Sequence, residues 1–306
     1  MNKIKVSAHA TLSNLCCGFD ILGMALEEPY DVFELSKTEK PGIVIKHLDA
    51  FGLPEDPQKN ISGVALQALM DAAGVQHGFE LVVEKKIKPG SGIGSSAASA
   101  AGPVFAANEL LGRPFTQQQL VSFAMEGEVI ASGSRHADNL APCIYGGLVL
   151  IRDTASLDII SLDAPTLFVT LVHPQIEIKT SYARDILPKE VPLKTAVTQW
   201  ANVAGLVSGF LKKDIELIGR SLQDVIVEPV RSKLIPGFNE VKEKSMQVGA
   251  LGGGISGSGP SLFMLSRDKE TALLIEKEMS SIYGQLGIDF KTYVTNIAAS
   301  GVKKIG

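Results

Sequence analysis

The chain has 306 residues, 45% hydrophobic and 20% charged, with 33 acidic side chains against 29 basic ones and a formal net charge of −4. The apolar share supports a real core and excludes wholesale disorder, and the near balance of charge gives no composition-level support for a nucleic-acid or anionic-membrane surface. No stretch approaches about 18 apolar residues, so no bilayer-spanning helix is expected. The opening MNKIKVSAHATLSN also lacks the roughly 7–15-residue apolar core of a secretory signal.

In chain order, 3–10, 31–36 and 42–48 are predicted strands. Residues 61–74 form a predicted helix, because Val64, Ala65, Ala68 and Leu69 recur at helical spacing. The strand at 79–87 puts Phe79, Leu81, Val83 and Ile87 on one face. It leads into KPGSGIGSSAASAAG (88–102) and an alanine-rich helix from about Ser95 to Leu111. Pro103 sits inside that helix, where a lost backbone bond predicts a kink or a later start.

A capping box of Thr116 and Gln119 opens the next helix. Its stripe Leu120, Ala124, Gly127, Ala131 leaves Glu126 solvated and Glu128 at the flank. The polar stretch 152–166 is the expected boundary between units 1–160 and 161–306. Beyond it come helices at 195–211, 215–222 and 269–279 and strands at 167–172, 261–265 and 289–297. This order argues an α+β fold with mostly antiparallel sheet. The three cysteines, Cys16, Cys17 and Cys143, match no zinc or redox spacing and are expected as buried thiols of a reducing cytosol.

The glycines at 90, 92 and 94 allow positive φ and close approach to bare backbone, so successive N–H groups can converge on a phosphate at a helix start. Ser95 or Ser96 suits the N-cap, and a hydroxyl there can reach a phosphate-bound Mg²⁺. No lysine follows Gly94, so the loop is not a Walker A motif, and main-chain amides are expected to hold the phosphate without a lysine. Gly252, Gly254 and Gly257 match GxGxxG literally, but Pro260 and a strand follow them instead of the helix a dinucleotide fold requires.

PGSGIGSSAAS resembles the nucleotide-binding motif of the GHMP kinase superfamily. Residues 7–26 (SAHATLSNLCCGFDILGMAL) resemble its first motif and 252–263 (GGGISGSGPSLF) its third. Five further strings are similar to the homoserine kinase branch: SNLCCGFDILG, EEPYD, SGSRHADNLAPCIYGG, Tyr182–Ala183–Arg184 with ILP, and IVEPVRSKLIPG.

The resemblance implies a two-domain α+β GHMP kinase fold. Its N-terminal domain would be ribosomal-protein-S5-domain-2-like with a left-handed crossover, and its C-terminal domain a ferredoxin-like α+β unit. It further implies a cytoplasmic, homodimeric, ATP-dependent kinase acting on the hydroxyl of L-homoserine in threonine biosynthesis. ATP would lie on Asn60, Pro89, Gly90, Ser91, Gly92, Ile93, Gly94, Ser95, Ser96, Ala97, Ala98 and Ser99, and Mg²⁺ on Ser96 and Glu128.

A zwitterionic acceptor calls for arginine at its carboxylate and for a carboxylate or carbonyls at its ammonium. Arg184 and Arg231 match the family's carboxylate-binding arginines. Asn14, Asp20, His136, Asp138, Asn139, Thr180 and Gly257 complete the implied acceptor site.

Mevalonate-type members place an aspartate seven residues before a Gly-Gly pair. Here that position is Asn139, while Asp138 is eight before Gly146. An amide is no base at neutral pH, so transfer without a dedicated base is expected, with Asn139 and Glu128 as the catalytic residues. Three alternatives stand beside this reading. They are a superfamily kinase for another small alcohol, a nucleotide-binding sensor without catalysis, and a nicotinamide-dependent oxidoreductase using GGGISG.

Overall fold

The computed structural model describes residues 2–133 and 135–305. Strands β1 (Lys3–Ser13) and β2 (Leu22–Thr38) form one long antiparallel arm, paired from Lys3 with Ser36 to Ser13 with Gly23. The expected strands at 3–10 and 31–36 lie within this arm. Its connecting turn holds Asn14, Leu15, Cys16 and Asp20 at positive φ.

Next come β3 (Ile43–His47), α1 (Ile61–Ala73) and β4 (Gly78–Glu84). β4 pairs parallel with β3 and antiparallel with β2. Helices α2 (Ser95–Leu110), α3 (Gln117–Ser132) and α4 (Leu140–Tyr145) follow. α2 is buried almost all round, with Ala97, Ala98, Ala100, Ala101, Ala106 and Ala107 fully covered. Its small side chains let it pack against β1, β2, α1 and α3 together.

α2 starts at Ser95 and runs through Pro103 without a break in its assignment, so the later start is ruled out. The carbonyl that Pro103 cannot bond, that of Ser99, accepts a 2.7 Å hydrogen bond from Ser62 Oγ on α1. A buried acceptor orphaned by proline thus regains a partner from the neighbouring helix.

β5 (Leu148–Asp153) and β6 (Asp158–Leu162) form a hairpin that joins this sheet through β2. The stretch 152–166, expected as the boundary, therefore carries part of this hairpin as far as Leu162. Asp153 caps the turn through Ala155 N and Ser156 Oγ, and the expected break at 160/161 falls inside β6. Polar alternation there reflects an edge hairpin with one exposed face, which composition does not separate from a loop.

The second half holds β7 (Phe168–Pro174), α5 (Thr180–Asp185), α6 (Leu193–Lys212), α7 (Ile215–Ser221), α8 (Glu228–Arg231) and α9 (Phe238–Gln247). It continues with β8 (Gly252–Ile255), β9 (Leu262–Ser266), α10 (Lys269–Leu286) and β10 (Phe290–Asn296). Its sheet, ordered β10-β7-β9-β8, is antiparallel throughout. α9 and α10 pack on it over a second core that includes Phe238, Val241, Met264, Ile275, Met279 and Tyr283. The last strand, β11 (Lys303–Lys304), returns to pair with β1, so the chain's end belongs to the first sheet rather than to the unit 161–306.

Cys16, Cys17 and Cys143 are free and buried, and burial pushes the thiols of Cys17 and Cys143 up to about 12. No helix of the described residues is long and apolar enough to cross a membrane.

Candidate active site

The glycine loop ends β4's connection and opens α2. Gly90, Gly92 and Gly94 all adopt positive φ, as the spacing predicts. The N-cap is Gly94, at φ 71°, and not Ser95 or Ser96; having no side chain, it leaves α2 without a side-chain cap. The positive end of a 16-residue helix therefore points from glycine backbone toward the cleft, an arrangement suited to a phosphate. Ser95 Oγ instead donates to Ile87 O at 2.9 Å. Ser91 N donates to Lys88 O, so the cradle rests on the remaining loop amides.

A cleft of about 290 Å³ runs along this loop. It is lined by Asn14, Asp20, Pro89, Gly90, Ser91, Gly92, Gly94, Ser95, Ser96, Ser99, Glu128, His136, Asp138, Asn139, Thr180, Arg184, Arg231 and Gly257. Four expected nucleotide contacts are not in its wall. Ile93, Ala97 and Ala98 turn their side chains into the core. Asn60 is buried as the N-cap of α1, accepting from Ser62 N and Gly63 N and donating to Pro54 O. Its amide is satisfied by the fold. Ser134, in the SGSRHADN string, lies outside the described residues.

At the α2 end of the cleft, Ser96 Oγ donates to Glu128 Oε1 at 3.2 Å, joining the first turn of α2 to α3. The Thr116/Gln119 capping box of α3 forms as expected. Among the described residues no group of three or more His, Cys, Asp and Glu could hold an ion by itself. One hydroxyl and one carboxylate are the hard-oxygen pair that Mg²⁺ uses when phosphates and water complete its shell.

At the other end, Arg184 forks Asp20, with Nη1 to Oδ2 at 3.0 Å and Nη2 to Oδ1 at 2.9 Å. Arg231 is almost fully buried and donates from Nε to Ala183 O and from Nη1 to Gly257 O. Burial, then the neighbouring Arg184 charge, lowers it to about 10. Asn14 uses both ends of its amide, donating to Gly257 O and accepting from Asp20 N. Asn139 is equally fixed: Thr11 Oγ1 donates to its Oδ1 at 2.8 Å, and its Nδ2 donates to Ser13 Oγ at 3.0 Å. Burial lowers the pKa of His136, favouring the neutral ring, and Thr180 Oγ1 lies 3.3 Å from Ser258 Oγ.

Burial, then the Asp20 charge, raises Asp138 from 3.8 to about 7. The folded chain thus binds more protons than the unfolded one between those values, so stability falls as pH rises through that window. Asp138→Asn removes the penalty. Its melting temperature is expected above the parent's at pH 8 and level with it near pH 4, by up to about 4 kcal/mol of stability. Equal melting temperatures across that range would contradict this.

Several residues of the site went unmarked in the sequence. Lys85 lies beneath the loop, its ammonium donating to Asp31, to Ser99 Oγ at 2.9 Å and to Ser95 O at 3.2 Å. A lysine does therefore line the cleft, but Asp31 neutralises it and it braces α2. The second glycine cluster braces the loop from outside: Ser256 Oγ donates to Gly92 O and Ser261 Oγ to Ser91 O. Its GxGxxG match spans β8 and the turn that leads to the antiparallel strand β9, which removes the dinucleotide context.

The chain matches the model of the GHMP kinases N terminal domain over residues 60–147 and that of the GHMP kinases C terminal over residues 206–285. It is 45% identical to a homoserine kinase of Chlorobium phaeobacteroides, covering 99% of each chain. It is 43% identical to one of Chlorobaculum tepidum, over 100% of this chain and 99% of the relative. The crystal structure of homoserine kinase from Cytophaga hutchinsonii superposes with a TM-score of 0.96 at 46% identity, covering 100% of this chain and 98% of that one.

Proposed function

The chain belongs to the homoserine kinase branch of the GHMP kinases, and on that premise we propose that it moves the γ-phosphoryl group of ATP to the side-chain hydroxyl of L-homoserine. The observation that carries the assignment is the two-ended cleft. An uncapped helix start with Ser96 and Glu128 lies at one end, and Arg184, Arg231, Asp20 and Asp138 lie at the other.

The α2 N-terminus and loop amides bind and neutralise the phosphates. Arg184 and Arg231 take the acceptor's carboxylate, while Asp20 and Asp138 face its ammonium. Asn139, held by Thr11 and Ser13, sets the hydroxyl. Ser96 and Glu128 would hold Mg²⁺, which when bound supplies charge neutralisation at the phosphates.

The hydroxyl oxygen bonds to the γ-phosphorus as the bond to the β–γ bridging oxygen breaks. ADP leaves with that electron pair, and the hydroxyl proton passes late to a phosphoryl oxygen. Positioning and charge supply the rate, so no side chain acts as base. Asp138→Asn is then expected to raise KM for homoserine with kcat falling no more than about tenfold. A kcat collapse of several orders with homoserine binding intact would make Asp138 the base.

The substrate assignment is tested by ADP release with L-homoserine, mevalonate, galactose and shikimate. Turnover with homoserine is expected to exceed the others by at least about 10²-fold in kcat/KM. Preference for another alcohol, or no turnover with any, would reject it. A cytoplasmic homodimer belongs to the same proposal and rests on the family resemblance; solution mass reads its assembly state.

A further inference from the structure

We propose that Phe19 is a positioning residue for the acceptor's carboxylate, its ring contacting the guanidinium groups of both Arg184 and Arg231. This rests on the reading above, in which those two arginines bind that carboxylate. Phe19 sits in the positive-φ turn between β1 and β2, is only partly buried, and lines the cleft. Arg184 Cζ lies 5.3 Å and Arg231 Cζ 5.1 Å from its ring centroid, within the range of a cation–π contact.

Two guanidinium groups brought together repel, and each needs an anchor that tolerates the other. Arg231 uses Nε and Nη1 on main-chain carbonyls. Arg184 is anchored by its fork to Asp20, but an incoming carboxylate competes for that fork, and the acceptor's ammonium competes for Asp20. The ring is the contact both arginines share and keep when the acceptor arrives.

The turn is tied to the same place. Asn14, which also bonds Asp20 N, donates to Gly257 O, the oxygen that accepts Arg231 Nη1. Arg231 and the turn that carries the ring are thereby fixed together, so removing the ring loosens Arg184 relative to Arg231.

The test compares Phe19→Leu with Phe19→Tyr, using L-homoserine and 3-amino-1-propanol, which is homoserine without its carboxylate. Phe19→Leu is expected to raise KM for homoserine about tenfold and to leave kcat, KM for ATP and turnover of 3-amino-1-propanol within about twofold. Phe19→Tyr, which keeps the ring face, is expected to restore the parent's KM. Should Phe19→Leu fail to fold, Phe19→Met carries the same comparison.

Equal losses with both acceptors, or a Phe19→Tyr variant as impaired as Phe19→Leu, would overturn the proposal as a mere packing role. If the unsubstituted protein fails to prefer homoserine over 3-amino-1-propanol, the carboxylate reading of the arginines fails first and this proposal falls with it.

Discussion

Gly94→Ala is expected to lower kcat/KM for ATP by about 10²–10³-fold in a protein that still folds. Gly94 is the N-cap of α2 at φ 71°. A Cβ there would lie 2.0 Å from Thr11 Oγ1 and 3.2 Å from Asn139 Oδ1, the two atoms of the bond that fixes Asn139. The methyl group must displace either that bond or the first turn of α2, so the proposed phosphate cradle and the amide proposed to position the hydroxyl are disturbed together. The left-handed backbone costs about 1–2 kcal/mol for alanine, and overpacking about 1–3 more.

Gly74→Ala is the control. Gly74 is also left-handed, at φ 64°, as the C-cap of α1, with nothing within 4 Å of where a Cβ would lie. It should lose comparable backbone stability and no activity. An unchanged KM for ATP in a destabilised Gly94→Ala would separate the loop from nucleotide binding.

Glu128→Gln is expected to cut kcat by about 10²–10³-fold and to raise the Mg²⁺ concentration needed for half-maximal rate. The amide keeps size and hydrogen-bonding capacity but loses the charge a hard cation requires. Ser96→Ala alone should be milder, because it removes one neutral oxygen. If both side chains serve one ion, as proposed, the double variant should lose little beyond Glu128→Gln, because their effects are then not additive. Additive losses, or an unaltered Mg²⁺ dependence in Glu128→Gln, would remove the ion from this pair.

The glycine loop was legible because glycine's tolerance of positive φ is written in the residue type; all three spaced glycines adopt it. The N-cap was not, because a glycine cap leaves the serines that usually mark one free for other bonds. Pro103 looked disruptive for a related reason. Its remedy is a hydroxyl on α1, 37 residues before the carbonyl it serves.

The hairpin at 148–162 was hidden by polar composition on an edge strand. Asp31 and Lys85 are 54 residues apart and meet only because β2 and β4 pair, with Val32 opposite Glu84. The end of the cleft proposed for the acceptor was legible only by resemblance. Asp20, Asp138, Arg184 and Arg231 come from four separate segments, and no periodicity in the chain links them. Phe19 carried no signal beyond its place beside Asp20.

The proposed function has glycine-loop amides and the start of α2 hold the triphosphate. A crystal structure with a nonhydrolysable ATP analogue and Mg²⁺ tests it most directly. The β- and γ-phosphates are expected within hydrogen-bond distance of main-chain N–H groups between Gly92 and Ala97, with the metal between Ser96 and Glu128. Phosphates lodged elsewhere in the molecule, or held by lysine side chains with those amides turned away, would contradict it.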